Sequence, residues 1–358
     1  MAKIAKKKPT KKNNKSRPLY KKILKIIAWV VGVIILLTGI IYAAFQVSPW
    51  PSALLIRSAF EKNAEKQSAI MAKYVPEGVN SVKNIQYKQG DSDAYLDVYY
   101  PSSVKNTDKK LPTVVWVHGG GWISGNKNNV ANYLKILAGK GYTTVGINYS
   151  IAPEKKYPTP VIQTNQALEY LNNNAGGLHI DNEQIVLAGD SAGSQIAAQV
   201  ATMTTNPSYA KLLGIAPALQ SSQLSGMLLS CGAYDIGIIN ADSNSEGAKL
   251  LKTFLWSYSG KKDFMKDQEL MQASVINYVT PDFPPSFITA GNDDPLLSQS
   301  KAFAEKLISL GVPTEILFYP QNYSPALPHE YQFNLDTAAG QKALSQMVTF
   351  LGQNTTQN

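Results

Sequence analysis

The 358-residue chain holds one cysteine, Cys231, and three histidines, His118, His179 and His329. One cysteine excludes an intramolecular disulfide framework and any cysteine-based structural zinc cluster. Three histidines leave little for a histidine-rich metal site and shorten the search for a catalytic base. Neither a G-x-G-x-x-G fingerprint nor a Walker lysine is present, so no nucleotide, flavin or other cofactor is expected, and no metal. Acidic residues are missing from residues 1–25, which carry eleven basic ones, Lys3 to Lys25. Removing those eleven from the 34 Lys+Arg leaves 23 against 25 Asp+Glu, so the net +9 describes a basic tail on a near-neutral body. That distribution argues against a nucleic-acid partner, although the global charge suggests one. A hydrophobic content of 44% with ordinary Gly and Pro excludes global disorder and collagen-like repeats.

From Ile26 to Phe45 twenty residues run without a charge. As a helix they span about 30 Å, the thickness of a bilayer hydrocarbon core. Trp29, Tyr42 and Trp50 stand where amphipathic rings favour the interface, and the nearby Lys/Arg all precede the segment. The positive-inside rule then keeps the N-terminus cytoplasmic and places residues from about 48 outside, as a single-pass cell-membrane protein. A cleavable signal peptide is the rival; its apolar stretch is normally shorter, though Ala43 and Ala44 offer a weak cleavage site. The expected domains are a basic tail (1–25), a transmembrane helix (26–47), a linker with an amphipathic helix (48–80, helical over Ala53–Lys73 after a Pro-Ser turn) and a catalytic body (81–358).

Within the body, strands are expected at Ala94–Tyr100, Thr113–His118, Thr143–Tyr149, Ile185–Ala188, Gly226–Ser230, Ser286–Ala290 and Glu315–Tyr319. Helices alternate with them at Val130–Lys140, Val161–Asn173, Ser191–Thr204, Gln299–Leu310 and Thr337–Leu351. VVWVHG, IVLAGD and FITAGN are short apolar runs without alternation, as in strands buried on both faces of a parallel sheet. The fold class is α/β, a mostly parallel doubly wound sheet with function at the carboxyl ends of its strands. Residues 236–285 carry aromatics and no clear strand, which suits an insertion covering the sheet edge.

Gly189-Asp190-Ser191-Ala192-Gly193 has the G-x-S-x-G form between a buried strand and a helix, the context that presents a nucleophilic serine on a tight turn. His118-Gly119-Gly120-Gly121-Trp122 closes an earlier strand, and its freed backbone can donate N–H groups to an oxyanion; Gly120 and Gly121, with Ala192, are the expected donors. Of the histidines, His118 belongs to that glycine loop and serves to hold its shape. His179 lies before the nucleophile strand and reads as a surface loop residue. His329, in LPHEYQF after the last strand, fits the chain order serine, acid, histidine. The acid falls in FITAGNDDPLLS, where Asp294 is preferred, Asp293 is its rival and Asp235 a weaker third; spacing does not separate adjacent carboxylates.

Taken together, HGGGW, Asn148 to Glu154 with Tyr157-Pro158, GDSAG, DDPL and a late histidine resemble the hormone-sensitive-lipase-like esterases, the α/β-hydrolase fold-3 group, over residues 85–355. The resemblance implies the α/β-hydrolase fold with a helical cap drawn from the N-terminal helix and the 236–285 insertion. It implies a triad of Ser191, Asp294 and His329, an oxyanion hole of Gly120, Gly121 and Ala192, and His118, Gly119 and Asp190 in support. This sequence departs from the pattern at Ser194, at Leu297-Ser298-Gln299, and after His329, where Glu-Tyr replaces Gly-Phe. The expectation is a membrane-anchored serine carboxylesterase acting on small acyl esters through an acyl-enzyme. Deacetylation of carbohydrate esters is the alternative within hydrolases, and a binding or adhesion module on a hydrolase scaffold is the alternative outside them. The sequence sets no oligomeric state.

Overall fold

The strands that the apolar runs predict line up side by side in one eight-stranded sheet. A computed structural model describes residues 2, 4–5, 19–238 and 246–356. Lys3, Lys6, Lys7, Lys8, Lys11, Lys12, Lys15 and Arg17 of the basic tail lie outside the described residues, as do residues 239–245 of the expected insertion. The chain divides into two units, Met1–Pro51 and Ser52–Asn358. In the first, helix α1 (Leu19–Val47) is long and apolar enough to cross a membrane, with a mean hydropathy of 2.6 over its best window. It extends beyond the expected segment at its amino end, because Lys21, Lys22 and Lys25 are good helix formers and need not leave the helix to stay solvated.

The second unit carries the sheet. Its strands are β1 (Val79–Gln86), β2 (Tyr95–Pro101), β3 (Leu111–Val117), β4 (Thr143–Ile147), β5 (Ile180–Asp190), β6 (Leu224–Ser230), β7 (Ser286–Ala290) and β8 (Thr314–Phe318). They run in the order β1-β2-β4-β3-β5-β6-β7-β8. From β4 to β8 every pairing is parallel, while β1 and β2 pair antiparallel at one edge. The antiparallel β1 escapes a sequence reading because its pattern, VNSVKNIQ, is largely exposed and has no apolar run to mark it.

Helices cover both faces. Leading out of the first unit is α2 (Trp50–Met71), followed by α3 (Lys127–Ala138), α4 (Thr159–Asn173), α5 (Ser191–Thr205), α6 (Pro207–Leu213), α7 (Glu246–Ser259), α8 (Gln268–Met271), α9 (Leu297–Ser309) and α10 (Ala338–Asn354). The expected Pro-Ser turn before the N-terminal helix is corrected. Pro51 and Ser52 sit inside the first turn of α2, where a missing N–H costs nothing. Alternation along the strands sorts the core into two layers. Val115, Val117, Leu187 and Leu229 face α4, α5, α9 and the α7 segment, whereas Val114, Trp116, Val186 and Leu228 face α3 and α10. Fully burying one such aliphatic side chain is worth about 1.5–3 kcal/mol, so both layers contribute to holding the sheet. The 236–285 insertion is helical where described, through α7, α8 and short 3-10 turns.

Because β4 lies on one side of β3 and β5 on the other, the winding direction reverses at β3. At such a switch point the loops after neighbouring strands diverge and leave a crevice at their carboxyl ends. The loops that follow β3 and β5 are the glycine loop and the serine turn.

Candidate active site

Ser191 is the first residue of α5, directly after the end of β5, and adopts φ +51°. A left-handed conformation at a residue with a Cβ is strained and persists where the surroundings over-determine it, as on a turn that lifts a hydroxyl clear of a sheet. His329 lies on the loop between β8 and α10, and its Nε2 is 2.9 Å from Ser191 Oγ. Its Nδ1 lies 2.9 and 3.0 Å from the two carboxylate oxygens of Asp294, on the loop between β7 and α9. The Asp294 side chain is fully buried, and Leu296 N–H donates to its Oδ1 at 2.7 Å. The adjacent Asp293 is exposed and donates only its backbone N–H, to Leu327 O; Asp235 accepts from Gly237 N–H. Neither meets a histidine among the described residues.

Burial disfavours a charged His329, but the neighbouring Cys231 sulfur and the hydrogen bonds to Asp294 outweigh it and raise its pKa well above the ordinary value. Burial also pushes the Cys231 thiol up to about 11, so the sulfur is neutral at ordinary pH and the Asp294 carboxylate sustains the upward direction. Cys231 follows β6 and was not singled out for chemistry by the sequence. Only its place at a strand's carboxyl end marked it. Donor atoms of Cys231, Asp294 and His329 lie within 4.8 Å of one another, a set whose chemistry suits a borderline-soft cation, although carboxylate and imidazole are already engaged with each other.

The glycine loop stands beside the serine turn. Asp190 accepts from Gly119 N–H at 2.8 Å and from Trp116 Nε1–H at 2.7 Å, which ties the two loops together. A Cβ on Gly119 would come within 2.2 Å of Asp190 Oδ2, so only glycine permits this approach. Gly120 adopts φ +118°, open to glycine alone. Among the described residues, the N–H groups of Gly120, Gly121 and Ala192 have no backbone or side-chain acceptor. His118 is buried, stacks on Tyr149 at 4.2 Å and has its Nδ1 2.7 Å from Gly119 O. Burial lowers its pKa to about 4, so the ring is neutral and Nδ1–H donates.

His179 is corrected: it is buried rather than a surface residue, with Nδ1 3.0 Å from Lys109 O and its ring tilted on Tyr100 at 4.5 Å. Its backbone also takes the left-handed conformation. The connection before β5 packs against the start of β3, which no local pattern announces.

From the insertion, the Phe254 ring lies 2.9 Å from where a Gly121 Cβ would stand, and Trp122 stacks on Tyr258 at 5.0 Å. On the other side, Arg57 of α2 pairs bidentately with Glu154 at 2.7 Å and donates to Ile123 O and Ala152 O. An N-terminal helix and an insertion therefore both touch the loop that follows β3, an arrangement whose outline the sequence anticipates and whose anchor, Arg57, it does not.

Comparison with known proteins follows the same lines. The BD-FAE family profile matches residues 96–307. An α/β hydrolase of Acanthamoeba polyphaga mimivirus is 28% identical over 59% of this chain, and the match spans 60% of its own length, less than two thirds. The arylesterase of Saccharolobus solfataricus is 26% identical, with 71% of this chain and 80% of that protein covered. Esterase B from Lactobacillus rhamnosis, solved with a tributyrin phosphonate inhibitor, superposes with a TM-score of 0.71 at 23% identity, over 85% of this chain and 95% of that one. That last likeness speaks for the α/β-hydrolase fold, and the resemblance carried by HGGGW, GDSAG and DDPL is borne out.

Proposed function

Since the chain belongs to the BD-FAE family, we propose that it is a serine carboxylesterase acting on small acyl esters. The observation that carries the reading is the unbroken hydrogen-bonded series from Ser191 Oγ through His329 to Asp294. Ser191 attacks the ester carbonyl while His329 Nε2 takes its proton. Asp294 holds the proton on Nδ1, which fixes the tautomer that leaves Nε2 free to accept, and favours the imidazolium that forms. The tetrahedral oxyanion is received by the N–H groups of Gly120, Gly121 and Ala192, at the start of a helix whose dipole favours negative charge. His329 then returns the proton to the leaving alcohol, and water attacks the acyl-enzyme with His329 again as the base.

The anchoring reading rests on α1. Its length and hydropathy, with the basic residues all before it, support a single-pass segment with a cytoplasmic N-terminus and the second unit outside. Protease added to intact cells digests the second unit if that orientation holds, and leaves it whole if the reverse holds. The activity test is an acyl series of p-nitrophenyl esters with acetylated sugars as a second arm. Wild type hydrolyses short acyl chains, and Ser191→Ala loses about four or more orders of magnitude in kcat. Wild-type rates in Ser191→Ala would refute the assignment.

A further inference from the structure

Glu330 follows the base at the position where the resemblance expects glycine, and its backbone takes the glycine conformation, φ +59°, ψ +29°. A side chain held there is strained, and strain of this kind persists where something compensates it. The compensation is visible at the other end of the side chain. Glu330 Oε1 lies 3.9 Å from His329 Nε2 and 3.0 Å from where a Cβ on Gly119 would stand, and the same point is 2.2 Å from Asp190 Oδ2, so the two carboxyl groups meet over Gly119. Asp190 is the residue whose two oxygens already hold Trp116 Nε1–H and Gly119 N–H.

We propose that Glu330 is a positioning residue: its carboxylate ties Asp190, and through Asp190 the glycine loop, to the loop that carries the catalytic base. The inference rests on the esterase reading of Ser191 and His329. Burial, and then the charge on Glu330, raise Asp190 well above the ordinary carboxylate range, as two carboxyl groups set side by side would. The ionisable groups that feel Glu330 are Asp190 on the serine turn, His329 on its own loop, Tyr149 after β4 and Cys231 after β6. The serine turn, the glycine loop and the base loop come from three separate strand ends, and Asp190 and Glu330 stand where the three meet.

The test uses the full-length protein in detergent, with Glu330→Gln and Glu330→Gly assayed on p-nitrophenyl butyrate and labelled with a fluorophosphonate. Loss of the tie is expected to lower kcat about tenfold with KM nearly unchanged, since misplacing a reacting group penalises the transition state more than binding. With the carboxylate beside Nε2 removed, His329 releases its proton more readily and the rising limb of the pH–rate profile moves to lower pH. Glu330→Gly suits the left-handed backbone, so it folds and its Tm rises while kcat falls. Unchanged kcat and an unchanged pH profile in both variants, whatever their Tm, would overturn the proposal. A wild type that neither labels nor turns over would overturn the esterase reading with it, whereas a labelled, active wild type with indifferent variants removes Glu330 alone.

Discussion

His329 Nε2 stands 2.9 Å from Ser191 Oγ across 138 residues of chain, and the same ring meets Asp294 through Nδ1. No single element brings them together. Each lies on the connection that follows a sheet strand, β5, β7 or β8, and the parallel register delivers those strand ends to one side of the sheet.

The two adjacent carboxylates separate cleanly by mutation. Asp294→Asn should lower kcat by about four orders of magnitude, as loss of the tautomer-fixing carboxylate does elsewhere. Asp293→Asn should stay within about threefold, because an exposed carboxylate without a catalytic partner contributes little. Steady-state kinetics on both variants checks this, and the opposite ranking moves the acid by one residue.

The pH profile follows from the direction of the His329 shift. If His329 is the base, it works only when neutral, so kcat/KM should rise with pH along a limb centred above the 6.5 of an ordinary histidine. Stability moves the other way. A histidine raised in the folded state stabilises at pH below its unfolded value, and that contribution disappears as pH climbs through the folded one. Activity should therefore grow over the range in which this contribution to Tm is lost. Parallel rate and melting profiles, with Asp294→Asn shifting the limb downward, test the pairing.

Cys231 is the chain's one thiol and is fully buried, with its pKa pushed up to about 11. At pH 8 about one molecule in a thousand carries the reactive thiolate. Iodoacetamide should leave the native protein unmodified and active for hours, yet alkylate it promptly in guanidinium. Mass spectrometry reads both, and rapid native labelling would contradict the burial.

A buried ion pair supports the edge of the sheet. Lys127 Nζ lies 2.8 Å from Asp97 Oδ1, with side chains 5% and 1% exposed, and 2.9 Å from Asn84 Oδ1. Removing one partner strands the other charge, so Asp97→Ala should cost about 3–5 kcal/mol of stability by denaturant unfolding. A Lys127→Met, Asp97→Leu double variant should recover much of it.

Much of the site was legible because buried parallel strands and glycine-bounded loops leave strong local marks. GDSAG and HGGGW fall where the strand and helix patterns require them to fall. Asp293 and Asp294 were not separable, since which one enters the protein depends on a loop bend with no sequence period. His179 misled for the same reason: its neighbours Tyr100 and Lys109 come from earlier parts of the chain. Strand β1 stayed hidden because an exposed edge strand carries polar residues on both faces. The short α6 was missed although Pro207 opens it and Asn206 caps it through Tyr209 N–H, since seven residues are too few for a helical period to stand out.

Arg57 sets a boundary for any soluble form of this protein. Arg57 lies ten residues past the end of α1 at Val47, and its guanidinium holds Glu154 and the carbonyls of Ile123 and Ala152. A truncation that removes α1 must cut inside that narrow interval. A cut beyond it would release a body that has lost the clasp behind its own glycine loop.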